Sequence, residues 1–151
     1  MAAADWKDLQ FLAGEWTATG GGQPGQGNGS VNFQFELDGK IFVRRNHLEF
    51  ATTADQPAFT HDDQLTTFKE ETGEMGAIYF DNEGHTIHYK VALSPEGHIV
   101  YISEAIPGAP RFRMSYLKGM DGTYITRFEI APPGNPEGFV THVEGPAKRK
   151  K

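Results

Sequence analysis

The sequence predicts an all-β fold, an antiparallel up-and-down β-barrel of about ten strands with a short N-terminal helix. Short segments in which polar and apolar residues alternate follow one another along most of the chain. Turns containing glycine or proline separate these segments, and helical spacing is found only within the first dozen residues. Regularly spaced strands that pair with their sequential neighbours are typical of barrels and sandwiches.

The helix is predicted from the spacing of three apolar residues near the start of the chain. Trp6, Leu9 and Leu12 recur at helical spacing and give the segment one apolar face. Asp5 is suited to cap the helix N-terminus, and Asp8 stands at the capping-box position. One or two helical turns fit before the strands begin.

The strands belong to one domain, residues 1–151, because the length and the apolar content are those of a single globular unit with its own core. The most clearly delimited strands are predicted at residues 30–37, 40–51, 63–70, 75–81, 85–93, 98–105, 111–118, 123–131 and 139–145. Ten strands make a barrel too wide for side chains to fill completely, which predicts an internal cavity.

The first hairpin determines which side chains point into the barrel. Asp38-Gly39 is a strong signal for a two-residue turn, which pairs Phe35 with Phe42 and Phe33 with Arg44. Cross-strand partners share a face of the sheet. The inward-facing apolar residues are then Phe33, Phe35, Leu37, Phe42, Leu48 and Phe50.

The same register places two polar side chains inside the barrel, those of Arg44 and Asn46. A three-residue turn with a bulge shifts the pairing by one residue and places Arg45 and His47 inside instead. The sequence leaves both registers open. A buried guanidinium needs a carboxylate, a hydrogen-bond network or an anionic ligand.

A second hairpin is predicted across Ser94–Gly97, where Val91 pairs with Val100 and Leu93 with His98. The predicted inner face of these strands comprises Ile87, Tyr89, Val91, Val100, Ile102 and Glu104. An aromatic-rich lining continues through Phe112, Met114, Tyr116, Tyr124, Phe128 and Ile130. An exposed apolar face on the outside of the sheet predicts a homodimer. The apolar residues predicted to point outward are Ile41, Val43, Ile99, Tyr101 and Ile125.

Composition excludes several classes of function. A net charge of −6 argues against nucleic acid as a partner. The absence of cysteine excludes disulfides, thiolate metal sites and cysteine nucleophiles. No apolar stretch reaches the length of a membrane helix, and the N-terminus lacks the regions of a signal peptide, so we expect a cytoplasmic protein with no membrane partner.

No pattern of residues predicts catalysis or a metal site. The sequence contains no nucleophile elbow, and His61-Asp62-Asp63, which we assign to a loop, has no second cluster of metal ligands to accompany it. Residues 20–25 match G-x-G-x-x-G by letter, but a strand follows them where a dinucleotide site needs a helix. We interpret them as a loop at the barrel mouth and expect a non-enzymatic protein.

Residues 11–20, Phe-Leu-Ala-Gly-Glu-Trp-Thr-Ala-Thr-Gly, resemble the opening of calycin barrels, where a short helix leads into G-x-W on the first strand. The resemblance implies that Trp16 closes one end of the barrel and packs against Arg149 in a cation–π contact. The ending Glu-Gly-Pro-Ala-Lys-Arg (residues 144–149) and the hairpin Leu-Asp-Gly-Lys (residues 37–40) are similar to those of a lipocalin-like bacterial family whose members are largely of unknown function. The chain more distantly resembles fatty-acid-binding-protein-like barrels.

The G-x-W segment is also similar to the first strand of nitrobindin, a haem-binding barrel. That resemblance implies His142 as a candidate iron ligand near the C-terminus. The chain departs from the nitrobindin pattern at Ala18, where a glycine is usual, and it lacks the Tyr-Pro that follows.

We therefore expect non-enzymatic binding of a small, mainly hydrophobic ligand inside the barrel, without a cofactor. The predicted site comprises Arg44, Asn46 and Glu104 as polar groups and Phe33, Phe35, Phe42, Tyr89 and Tyr116 as walls. Two alternatives stay open. One is haem bound by His142, and the other is a structural or interaction domain with a filled core.

Overall fold

The computed structural model of the protein describes residues 1–19, 28–119 and 122–150. In these residues the chain forms a closed barrel of ten antiparallel strands, with one short strand outside it and one short helix. The fold class predicted from the sequence is confirmed. The G-x-G-x-x-G segment at residues 20–25 lies outside the described ranges.

The elements follow one another with short connections. The N-terminal elements are β1 (Ala2–Ala3), α1 (Trp6–Leu9) and a 3-10 turn (Gln10–Leu12). The barrel strands are β2 (Gly14–Thr19), β3 (Asn28–Glu36), β4 (Ile41–Phe50), β5 (Phe59–Lys69), β6 (Met75–Asp81), β7 (Thr86–Leu93), β8 (Ile99–Ser103), β9 (Arg111–Lys118), β10 (Thr123–Ala131) and β11 (Val140–Arg149).

Each barrel strand pairs with its sequential neighbour, and the last strand closes the ring on the first. Trp16 of β2 pairs with Arg149 of β11, and β1 adds to β7 outside the ring through Ala3 and Ala92. We call the end of the barrel near α1 the closed end and the opposite end the mouth.

The N-terminal helix begins as its capping pattern predicts. The Asp5 side chain accepts a hydrogen bond from the backbone of Trp6, and the Asp8 carboxylate accepts one from the Asp5 backbone at 2.8 Å. Leu9 and Leu12 are fully buried against the barrel. The helix therefore seals the closed end with its apolar face.

The first hairpin has the predicted pairing but a different turn. Phe33 pairs with Arg44 and Phe35 with Phe42, so Arg44 points inward. Four residues, 37–40, form the turn in place of two, and Leu37 and Asp38 adopt φ of +52° and +56°. The inward placement of Leu37 was wrong: it lies in the turn and is 71% exposed.

The second hairpin is shifted by one residue from the prediction. Val91 pairs with Tyr101 in place of Val100, because Gly97 adopts φ +83° and forms a bulge after a tight turn. Ile99 and Tyr101 therefore point inward and are fully buried. The predicted homodimer face loses these two side chains, and the dimer stays a prediction.

Two predicted strand boundaries differ from the structure by four residues. Strand β5 begins at Phe59 and not at residue 63, because β4 remains paired with it as far as Phe50. Strand β11 continues to Arg149, since its last residues pair with β2. The first of these differences brings His61, which we had assigned to a loop, into the barrel wall.

Candidate functional site

The closed half of the barrel interior is filled by aromatic side chains that meet across it. The Phe33 ring lies 5.6 Å from the Phe42 ring and 5.6 Å from the Tyr116 ring, measured between centroids. Tyr116 in turn packs edge-on against Tyr101 at 5.8 Å and Tyr124 at 5.7 Å. All five rings are almost completely buried. This half is a packed core.

Trp16 and Arg149 lie against each other at the closed end. The guanidinium carbon of Arg149 is 4.3 Å from the Trp16 ring centroid, and its Nη1 donates a 2.8 Å hydrogen bond to the Ala13 carbonyl. Trp16 Nε1 donates to the Leu12 carbonyl at 2.7 Å. Gly14 has φ +126°, and a Cβ there would lie 2.5 Å from Arg149 Nη1, so the motif needs a glycine.

A buried ion pair lies at the middle of the barrel. Arg44 is 7% exposed, and its Nη2 donates to Asp63 Oδ1 at 2.5 Å while its Nη1 donates to the Tyr116 hydroxyl at 2.6 Å. Burial alone raises the pKa of Asp63, but the Arg44 charge and three hydrogen bonds hold that pKa below its ordinary value. Arg44 and Asp63 therefore form a charged pair inside the barrel.

The polar network extends from Asp63 towards the mouth. Asp63 Oδ2 accepts hydrogen bonds from Asn46 Nδ2 at 3.0 Å and from His61 Nε2 at 3.0 Å. The hydrogen bond to Asp63 and that to Glu83 raise the pKa of His61 to about 9 despite partial burial. His61 is thus an imidazolium at neutral pH.

A second carboxylate, that of Asp81, completes the network at the rim. The Tyr79 hydroxyl donates to Asp81 Oδ2 at 2.9 Å and lies 3.3 Å from His61 Nε2. Although burial opposes it, hydrogen bonds from the backbone and side chain of His85 lower the pKa of Asp81 to about 2. We refer to Arg44, Asn46, His61, Asp63, Tyr79 and Asp81 as the polar layer.

Two atoms of the polar layer are buried without a hydrogen-bond partner among the described residues. They are Arg44 Nε, a donor, and Asn46 Oδ1, an acceptor. An unused donor or acceptor in the low-dielectric interior is unfavourable unless a water or a ligand forms a hydrogen bond with it.

Above the polar layer the inward-facing side chains become accessible to solvent. Along β4, Phe42 is buried, whereas Leu48 and Phe50, further towards the mouth, are half-buried. On β11, Val143 and Val140 are 56% and 66% exposed, although their pairing places them on the inner face. The other apolar side chains at this level are Phe59, Ile87, Phe112, Phe128 and Ile130. We call this region the apolar cup.

The predicted site residues fall into three groups in the structure. Phe33, Phe42, Tyr89 and Tyr116 belong to the packed core, with Phe35 packed against it. Arg44 and Asn46 lie in the polar layer. The inward placement of Glu104 was wrong: the shifted register ends β8 at Ser103, and Glu104 is exposed.

Sequence reasoning missed Asp63 and His61 as inward-facing partners of Arg44. The signal was present, because Phe59, His61, Asp63 and Leu65 alternate with polar residues as strand residues do. A loop assignment for His61-Asp62-Asp63 concealed this alternation.

His142 lies at the mouth, in the bulge of β11 opposite β10. It is exposed, and its ring contacts the Phe128 ring edge-on at 6.1 Å between centroids. Phe128 also stacks with Phe112 at 5.9 Å between ring centroids. These two rings occupy the inner side of the barrel next to His142. Haem at this position stays a prediction.

Two grooves lie on the outer wall of the barrel. The larger, of about 540 Å³, crosses β3 to β6 and is lined mostly by outward-facing side chains such as Arg45, His47 and Phe80, and its lining also includes Asn46, Asp63 and Asp81 of the polar layer. The smaller, of about 290 Å³, lies over β5 to β7 and includes Glu104. Both are separate from the apolar cup, which lies on the inner face.

The described ranges contain no group of three or more histidine, cysteine, aspartate or glutamate residues arranged to hold a metal ion. None of the helices in these ranges is long and apolar enough to cross a membrane. The barrel fold itself is compatible with ligand binding.

No known family model matches this chain, and no match was found among curated proteins. The calycin resemblance therefore rests on the barrel topology with its N-terminal helix, which is consistent with such a fold.

Proposed function

We propose that the protein binds a small, mainly apolar molecule in the apolar cup, as a binding protein and not as an enzyme. The observation that carries this proposal is the change in exposure along the inner face. Phe42 and Leu65, below the polar layer, are buried, whereas Leu48, Phe112 and Val143, above it, are accessible to solvent although they point inward. A concave apolar surface that remains accessible to solvent is typical of a ligand site.

The polar layer supports the same proposal because it lies directly below the apolar cup. Ligand sites combine an apolar wall with a few fixed polar groups that orient the bound molecule. Arg44 is held by Asp63 and Tyr116, which fixes the direction of its guanidinium.

A filled core, one of the alternatives from sequence, describes only the closed half of the barrel. The rings of Phe33, Tyr116 and Tyr124 pack against one another in that half. Haem is less well supported, since His142 is exposed and its one ring contact is with Phe128.

The proposal is tested with Nile red, a neutral apolar dye whose fluorescence rises and shifts to the blue in an apolar site. We expect saturable binding of one dye per chain. Leu48→Trp places a larger, aromatic side chain in the apolar cup and takes up space that the dye would occupy. This variant should bind Nile red about tenfold or more weakly than the wild type.

The matched control is Phe80→Ala, which removes an exposed ring from the outer groove. This variant should bind Nile red as the wild type does. Absence of saturable binding to the wild type, or a loss confined to Phe80→Ala, would overturn the proposal; the second result would place the dye in the outer groove.

A further inference from the structure

The larger groove on the outer wall of the barrel, of about 540 Å³, has a lining suited to a ligand different from that of the apolar cup. We infer that this outer groove binds a short, uncharged oligosaccharide. The inference goes beyond the proposed function, because the outer groove crosses the outer face of β3 to β6 whereas the apolar cup lies on the inner face.

Two adjacent rows of outward-facing side chains run across the outer groove. In the first row Asn32 of β3 pairs with Arg45 of β4. Gln64 of β5 and Phe80 of β6 continue this row. Neighbouring strands lie about 5 Å apart, so the first row is about 14 Å long, which exceeds the length of a single sugar ring. The second row, one step nearer the mouth, comprises Ser30, His47 and Asp62.

The basic side chains of the outer groove already have carboxylate partners. Among the described residues of its lining there are three such side chains. Their pairs are Arg45–Glu36 at 2.7 Å, His47–Asp62 at 2.6 Å and Lys150–Glu15 at 3.9 Å between nitrogen and oxygen. A ligand phosphate or carboxylate would have to compete with one of these carboxylates for its cation. The outer groove therefore favours an uncharged ligand.

Two amide side chains of the first row keep their polar groups for a ligand. Asn32 and Gln64 lie on either side of Arg45 and are half-buried. Within the described part of the chain neither amide has a side-chain hydrogen-bond partner. Each amide offers both donors and an acceptor, and each hydroxyl of a sugar ring also donates and accepts. Neighbouring hydroxyls of a sugar therefore match these amides.

An aromatic ring lies at the end of the same row. Phe80 points away from the barrel interior and is 43% exposed. The C–H groups on one face of a sugar ring form an apolar surface that packs against the face of an aromatic ring. A concave surface that combines such a ring with a few fixed polar groups is typical of a binding site. The first row provides both kinds of contact within one groove.

The test is a titration of ¹⁵N-labelled protein with four uncharged disaccharides, maltose, cellobiose, lactose and di-N-acetylchitobiose, followed by backbone amide shifts. We expect at least one of them to give saturable shifts at Asn32, Gln64 and Phe80, with a Kd of about 1 mM or lower. The anionic nucleotide AMP, titrated in the same way, should give no saturable shift at these residues.

Two variants of the first row sharpen the test. Phe80→Ala removes the ring and Gln64→Ala removes an amide, and each should weaken the disaccharide about fivefold or more. Both should keep the melting temperature of the wild type, because surface substitutions change stability little. The matched control is Ile106→Ala, which shortens a side chain that is 58% exposed outside the outer groove and should leave disaccharide binding unchanged.

Three results would overturn the inference. They are the absence of saturable shifts with all four disaccharides, shifts by AMP alone, and equal affinity of the wild type and Phe80→Ala for the bound disaccharide. Leu48→Trp separates the two sites, since it should weaken Nile red in the apolar cup while disaccharide binding stays unchanged.

Discussion

The closed half and the mouth half of the barrel are built from the same strands but differ in how completely their inward-facing side chains are buried. In the closed half Trp16 and Tyr124 pack at 4.6 Å between centroids, and the helix seals the end. In the mouth half Leu48 and Val143 point inward without being covered. Buried apolar packing is therefore concentrated at one end of the barrel, and the ligand is proposed to bind at the other end.

The polar layer marks the boundary between the two halves. Arg44 and Asp63 neutralise each other inside the barrel, and their hydrogen bonds join β4, β5 and β9. A buried ion pair is weak evidence for stability, since its desolvation offsets much of its attraction. Its position directly under the apolar cup fits a role in orienting a bound molecule.

The largest effect is expected from a change in the closed half. Trp16→Ala should lower the free energy of unfolding by about 3–5 kcal/mol, because it leaves a cavity and removes the ring under Arg149. Phe112→Ala, in the apolar cup, should lower it by less than about 2 kcal/mol, since that ring is only half-buried. Urea denaturation measures both values.

Equal losses of unfolding free energy in these two variants would contradict the comparison. They would mean that the mouth half is packed as tightly as the closed half and holds no free apolar surface.

A change at the boundary should have a large effect that a second change reverses. Asp63→Leu alone leaves the Arg44 charge buried and should lower the free energy of unfolding by about 3–5 kcal/mol. The double variant Arg44→Leu with Asp63→Leu removes both charges and should recover most of that loss. If the double variant is no more stable than the single one, the pair contributes to folding beyond mutual neutralisation.

The smallest effect is expected from pH and concerns His61. Its pKa is raised from 6.5 to about 9 by Asp63 and Glu83, so the bound proton stabilises the folded state. This contribution is complete below pH 6.5 and is lost as the pH rises towards 9. The free energy of unfolding of the wild type should therefore fall relative to that of His61→Gln over this window.

Nuclear magnetic resonance of the histidine ring nitrogens provides the direct check on that prediction. A midpoint for His61 near 6.5 would contradict the hydrogen bonds that Asp63 and Glu83 accept from it in the structure.

The sequence predicted those parts of the fold that depend on residue alternation. Phe33, Phe35 and Phe42 alternate with polar residues, and the pairing that places Arg44 inside is present even though the turn at residues 37–40 is longer than expected. Alternation defines faces strongly where one face is buried. The same reasoning predicted Phe33, Phe42, Tyr116 and Tyr124 of the packed core as inward-facing, but it placed Tyr101 outward.

The parts that were wrong depend on local backbone conformation. Gly97 in the left-handed region inserts one residue, which reverses the faces of Ile99, Val100 and Tyr101. The signal was present, because a three-residue loop that ends in glycine is typical of a turn followed by a bulge, but the prediction paired the strands as across a four-residue turn. The partners of Arg44 were missed because the start of β5 was set four residues too late. The unpartnered atoms of the polar layer depend on side-chain geometry, which alternation does not contain.

The most direct test of the account is a titration of ¹⁵N-labelled protein with octan-1-ol, followed by backbone amide shifts. The account predicts saturable shifts for residues of the apolar cup and the polar layer, such as Leu48, Asn46 and Phe112, and none beside Trp16 and Tyr124. Shifts centred on the outer groove around Phe80, or no saturable shift at all, would contradict it.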